Sequence, residues 1–123
     1  SILDDVYPWD LSEIYNPPVL LFYKGNLDLL KLPKVAVVGS RNSSRTGSQS
    51  VQKIVKELNN ELVIVSGLAR GIDTSAHMAA LQNGGRTIAV IGTGLDVFYP
   101  RANKKLQSYL GEHHLVLSEY GPE

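Results

Sequence analysis

Leu62-Val63-Ile64-Val65-Ser66-Gly67-Leu68-Ala69-Arg70-Gly71-Ile72-Asp73-Thr74-Ser75-Ala76-His77 decides how this chain is read. A short apolar run without polar alternation has the pattern of a strand covered on both faces, as in a parallel sheet. Two glycines and an arginine follow it. Ile72, Ala76, Ala79 and Ala80 then share one helical face, small enough for close approach to a sheet, and Gly84-Gly85 stops the helix. The stretch is a strand, a glycine turn and a helix.

The same unit recurs on either side. Val35-Ala36-Val37-Val38, Thr87-Ile88-Ala89-Val90-Ile91 and Leu115-Val116-Leu117 are further apolar runs, separated by spans long enough for crossover helices. Val51, Ile54, Val55 and Leu58 make one apolar helical face. Leu106, Tyr109 and Leu110 make a weaker one that is expected to stop at Gly111. Strand, helix, strand, helix, strand, helix, strand predicts an α/β fold with a doubly wound parallel sheet. Residues 1–33 differ. Tyr7-Pro8 and Asn16-Pro17-Pro18 break regular structure, Leu20 to Tyr23 suggests an additional strand ending at Lys24-Gly25, and Pro33 marks a junction. They read as an N-terminal extension packed on the sheet, with 34–123 as the α/β domain.

Composition narrows the function classes. Twelve basic and twelve acidic side chains cancel in 123 residues, so any polyanion site must come from local placement. With no cysteine there is no disulfide, thiolate metal site or thiol nucleophile. No apolar run approaches the roughly 20 residues that span a bilayer. The expectation is a soluble, cytoplasmic protein without membrane association.

All strand C-termini of a parallel sheet lie along one edge, where ligands bind at the point of strand-order reversal. Three turns leave that edge: Gly39 to Gly47, Ser66 to Asp73, and Gly92 to Asp96. Each carries glycine, and the first two carry Arg41, Arg45 and Arg70. Glycines allow close backbone approach, helix N-termini present unpaired N–H groups, and arginine supplies a planar fork for phosphate oxygens. Gly39, Ser40, Arg41, Arg45, Ser66, Gly67, Arg70, Gly71, Thr93 and Gly94 are therefore the candidate phosphate-binding residues. The alternative is tight turns, caps at Ser44 or Asp73, and solvated arginines.

Several chemistries lack their signatures. Gly39-Ser40-Arg41-Asn42-Ser43-Ser44 is not G-x-G-x-x-G, there is no P-loop, and there is no G-x-S-x-G elbow. Asp73 and His77 stand four apart on one helix face, but two groups without a third do not make a metal site or a catalytic set. Asp96 reads as closing its own turn, and His113-His114 as a solvated loop. Phe98 and Tyr99 are stacking candidates, with packing against the sheet as the alternative. The residues describe a binding protein that calls for no cofactor and has no catalytic group.

Val37-Val38-Gly39-Ser40-Arg41, Ser66 through Asp73 with Ala76-His77, Thr87 through Asp96 with Tyr99-Pro100, and Leu117-Ser118-Glu119-Tyr120 resemble the DprA/Smf family. Tyr7-Pro8, Pro17-Pro18 and Leu21 through Asn26 match as well, so the likeness covers nearly the whole chain. The resemblance implies a Rossmann-like domain that binds single-stranded DNA, protects it and helps load RecA during natural transformation. It implies a DNA pocket that includes Arg41 and the Ser66–Asp73 turn, and a homodimer in the full-length protein. Arg45 and Thr93 rest on the residue reading alone. The family domain continues beyond the segment matching Ser118-Glu119-Tyr120, so this chain reads as its first half. A nucleotide-hydrolysing enzyme similar to the phosphoribohydrolases is the alternative, but P-G-G-x-G-T-x-x-E is absent: Gly92-Thr93-Gly94 leads into Leu95-Asp96 without the glutamate.

Overall fold

The computed structural model describes residues 21–120. In chain order they form β1 (Phe22–Gly25), a 3-10 turn (Leu27–Lys31), β2 (Lys34–Ala36), α1 (Arg45–Leu58), β3 (Val63–Ser66), α2 (Ile72–Gln82), β4 (Thr87–Ile91), a second 3-10 turn (Arg101–Asn103), α3 (Lys104–His113) and β5 (Leu115–Ser118). The five strands lie in the order β1-β5-β4-β3-β2. β2 to β5 are parallel, and β1 joins β5 antiparallel with Tyr23 opposite Leu117. This is a Rossmann-like α/β architecture. The parallel strands stand side by side in chain order, so no strand-order reversal occurs among the described residues.

Right-handed crossovers that all step the same way place their helices on the same face, and the core shows this. Ile64 packs with Val55 of α1 and Ala76, Ala79 and Ala80 of α2. Ala89, Ile91 and Val116 pack with Leu68, Leu95 and Leu110 of the same layer. The alternate residues Val63, Ile88, Leu115 and Leu117 point to the other face and meet Leu29 and Leu30 of the first 3-10 turn. Burying a leucine such as Leu30 contributes about 1.5–3 kcal/mol, and Leu30→Ala would open a cavity where the turn closes that face.

Element ends follow local chemistry. Ser44 caps α1, its hydroxyl accepting the Gly47 N–H at 3.0 Å. The buried seam of α1 is narrower than the sequence suggests, because Ile54 is half exposed while Val55 is fully buried. α2 ends at Gln82, ahead of Gly84-Gly85 as expected. α3 instead continues through Gly111 to His113. A Cβ at Gly111 would lie 3.4 Å from that of Lys24, so the small residue lets the last turn rest on β1, and His113 becomes helical. The strand expected to end at Lys24-Gly25 is β1. Tyr7-Pro8 and Asn16-Pro17-Pro18 lie outside the described residues. No described helix is long and apolar enough to cross a membrane.

Candidate functional site

The turns after β2, β3 and β4 leave one edge of the sheet, and the first two interlock. The Ile72 N–H donates to the Ser40 carbonyl at 3.1 Å. Gly71 has φ +76°, and a Cβ there would overlap the carbonyls of Ser40 and Arg41. Only glycine fits between these backbones. That contact puts Arg41 and Arg70 on one cavity of about 340 Å³, whose other walls include Asn42, Gly67, Ala69, Thr93, Tyr99 and Pro100. Its volume falls at the lower end of small-ligand sites, about 300–1,000 Å³.

Arg41, Asn42 and Arg70 also border a shallower groove that runs over α1 and α2. Its floor is a chain of hydroxyls. Ser43 Oγ lies 3.1 Å from Ser48 Oγ, to which Ser75 Oγ donates at 3.2 Å. Among the described residues neither lining contains a carboxylate. Two guanidinium forks, hydroxyls, an asparagine amide and an aromatic ring are suited to hold an anion beside a planar group.

The candidates read from the sequence fall into two groups. Arg41, Gly67, Arg70 and Thr93 line the cavity together, and Gly71 borders the groove. Four others serve the frame around it, and Arg45 stands apart. Ser66 is buried, and its hydroxyl donates to the Val37 carbonyl at 2.7 Å, tying β3 to the end of β2. Gly39 packs against the Ile72 side chain. Ser40 accepts the Asn42 N–H on its hydroxyl at 3.1 Å. Gly94 accepts the Val97 N–H and closes the third turn. Arg45, exposed at the start of α1, borders neither opening.

Asp73 does not cap α2; Gly71 holds that position. Its buried carboxylate reaches back instead, accepting the Ala69 N–H at 3.3 Å. It also stands 2.8 Å from where a Gly67 Cβ would be. His77 is fully buried. Thr87 Oγ1 donates to the Ile64 carbonyl, so the proton between Thr87 and His77, 2.7 Å apart, belongs to His77 Nδ1. Burial lowers the His77 pKa to about 4, against a smaller opposing pull from Asp73. Asp73 supports the turn from beneath, His77 ties α2 to the start of β4, and neither lines the cavity. Asp96 pairs with Lys24 of β1 at 3.0 Å and so does not close its own turn.

The two aromatics after the third turn separate. Tyr99 stands 64 % exposed at the cavity rim. Phe98 turns away toward α3, with Lys104 Nζ 5.5 Å from its ring centre. Sequence reading missed Asn42, Pro100 and Asn103, while Ala69 entered only as part of the Ser66–Asp73 turn. Asn42 sits inside the first glycine turn and could have been included with its neighbours. Asn103 carries no local signal, since its partners lie about thirty residues away.

Comparison with known proteins places this geometry. The family model described as DNA recombination-mediator protein A matches residues 1–123. The DNA processing protein DprA of Streptococcus pneumoniae is 80 % identical over 99 % of this chain and 43 % of its own length. That of Bacillus subtilis is 46 % identical over 95 % of this chain and 40 % of its own. The chain thus spans about two fifths of the length of these two relatives. The X-ray structure of the Streptococcus pneumoniae protein superposes with a TM-score of 0.87, over 99 % of this chain and 43 % of that one. A structure of the Helicobacter pylori DNA processing protein A, described by its single-stranded DNA binding mode, gives 0.78 at 36 % identity, over 89 % of this chain and 51 % of that one. On a match that runs its whole length, the chain belongs to the DNA recombination-mediator protein A family, the DprA/Smf proteins.

Proposed function

We propose that this chain binds single-stranded DNA with little sequence preference, phosphates meeting Arg41 and Arg70 and an unstacked base meeting Tyr99. The observation that carries the reading is the convergence of the two arginines on a cavity with an exposed tyrosine at its rim. Single strands are held by such a combination of cationic groove and stacking surface. A duplex keeps its bases stacked inside, with no free base face for the Tyr99 ring to meet. Gly39, Ser40, Ser66, Gly71, Thr93 and Gly94 shape the site, and Arg45 adds charge nearby.

The family resemblance extends the proposal to the longer protein: a cytoplasmic homodimer that protects single strands in natural transformation and assists RecA loading. Binding is favoured over catalysis because Asp73 and His77 are buried and line neither opening. Neither of the two linings supplies a carboxylate or imidazole among the described residues. A fluorescence titration with a dT oligomer and with a duplex of equal length tests the reading. Tighter binding to the oligomer is expected; equal binding to both, or to neither, would overturn it. Turnover of AMP, abolished by Asp73→Ala or His77→Ala, would favour the hydrolase instead.

A further inference from the structure

Leu68 is a leucine at φ +66°, in the left-handed region that non-glycine residues avoid. Its side chain is anchored in the core at 1 % exposure. Its carbonyl accepts from Asn103 Nδ2 at 3.0 Å. The same amide nitrogen donates its second hydrogen to Thr74 Oγ1 at 2.9 Å. Thr74 Oγ1 donates onward to the Ala69 carbonyl at 2.7 Å, which also accepts the Thr74 N–H at 3.1 Å. Both donors of one buried amide thus fix consecutive carbonyls of the turn that carries Arg70.

Asn103 comes from the opposite wall. It ends the 3-10 turn that follows Tyr99-Pro100, with its own N–H donating to the Pro100 carbonyl at 2.9 Å. By position it is the N-cap of α3, where asparagine ordinarily accepts from the first helical N–H groups. It makes no such bond. Lys104 and Lys105 open that helix with no acidic residue in its first turn, so the helix start has neither usual support. The side chain that would cap α3 bridges instead to the turn after β3.

We propose that Asn103 is a positioning residue that ties the Leu68–Arg70 turn to the Tyr99–Pro100 wall and so sets where Arg70 stands in the cleft. It rests on the single-stranded DNA reading and acts through Arg70, while Arg41 belongs to the other turn, outside the Asn103–Thr74 hydrogen bonds.

Amide exchange by NMR and dT-oligomer titration on Asn103→Ala and Asn103→Asp test it. Asn103→Asp keeps the size of the side chain and removes both donors. Exchange at Ala69 and Thr74 should accelerate at least ten-fold while β3 amides stay protected. Oligomer affinity should fall about ten-fold, with the salt slope reduced by about 0.7, one single-strand phosphate. Arg70→Ala combined with Asn103→Ala should bind no more weakly than Arg70→Ala alone, whereas Arg41→Ala should add to Asn103→Ala. Should both variants fail to fold, Thr74→Val removes one branch and is expected to weaken binding in the same direction. Unchanged exchange at Ala69 overturns the clamp, whatever the protein binds. Additive losses with Arg70→Ala overturn its action through Arg70. Accelerated exchange in a protein whose wild type binds no oligomer overturns the DNA reading and leaves the clamp standing.

Discussion

The Cα of Gly71 faces the Ser40 carbonyl so closely that a Cβ there would overlap it, and the next N–H, of Ile72, donates to that same oxygen. One contact thereby joins the turns that carry Arg41 and Arg70. Gly71→Ala should strain the backbone by about 1–3 kcal/mol and also part the two turns. Gly84 has φ +70° but nothing within 4 Å of its would-be Cβ. Gly84→Ala should therefore lower the denaturation midpoint alone, while Gly71→Ala lowers both the midpoint and dT-oligomer affinity, the latter about ten-fold. Equal binding by the two variants would show that the turn contact does not set the cleft.

The arginines should differ by position. Arg41→Ala and Arg70→Ala are each expected to weaken all sequences alike. The slope of log affinity against log salt should shrink by about 0.7 for each single-strand phosphate that the variant no longer neutralises. Arg45 borders neither opening, so Arg45→Ala should change affinity less than two-fold at moderate salt, where the screening length is about 10 Å. A full phosphate's reduction of slope in Arg45→Ala would place the DNA path along α1 instead.

The apolar runs made the strands legible because burial on both faces leaves a continuous hydrophobic pattern. The glycine-arginine turns were legible because glycine and arginine have few other reasons to coincide at a strand end. Side chains that act across long sequence distances were not. Ser66 looked like part of a phosphate turn, but its neighbour in space is the Val37 carbonyl. Asp73 looked like a cap, yet Gly71 takes that position and the carboxylate turns back to Ala69. Asn103 showed nothing, because its partners belong to another turn. The antiparallel direction of β1 was equally hidden, since pairing direction leaves no mark on four residues.

Thr87 sits between two histidines, and both make folding sensitive to acid. Its hydroxyl accepts from His77 Nδ1, and its N–H donates to His114 Nδ1 at 3.3 Å. Burial lowers the pKa of His77 to about 4 and lowers that of His114 as well, with His113 adding repulsion there. A histidine with a depressed folded pKa binds fewer protons folded than unfolded, so acid favours the unfolded chain. Stability should be full above about pH 6.5, the ordinary histidine pKa. It should fall between there and about pH 4, His77 alone accounting for about 3 kcal/mol. Urea melts across this range check it. His77→Gln should flatten the dependence, and an unaltered curve in that variant would assign the acid sensitivity elsewhere.

The helices cover one face of the sheet, and on the other the first 3-10 turn, through Leu29 and Leu30, packs over Val63, Ile88, Leu115 and Leu117. Farther along that face Tyr23 and Val90 both lie opposite Leu117 in neighbouring strands. They are 49 % and 44 % exposed, and Val38 beyond the edge strand is 80 % exposed. Leu117 between them is buried, so the exposed apolar side chains flank a covered centre; parallel sheets ordinarily bury both faces, and exposed apolar surface promotes association. The 1–123 chain by itself should therefore self-associate with rising concentration, or unfold at low denaturant. Light scattering and urea melts would show which. Val90→Lys puts a charge in the middle of this row without touching the DNA cleft. It should shift the chain toward monomer and leave dT-oligomer affinity unchanged when that affinity is measured below the association threshold. A concentration-independent, cooperatively folded monomer would mean that this face is stable in water as it stands. Loss of oligomer binding in Val90→Lys would mean instead that association through the sheet completes the site.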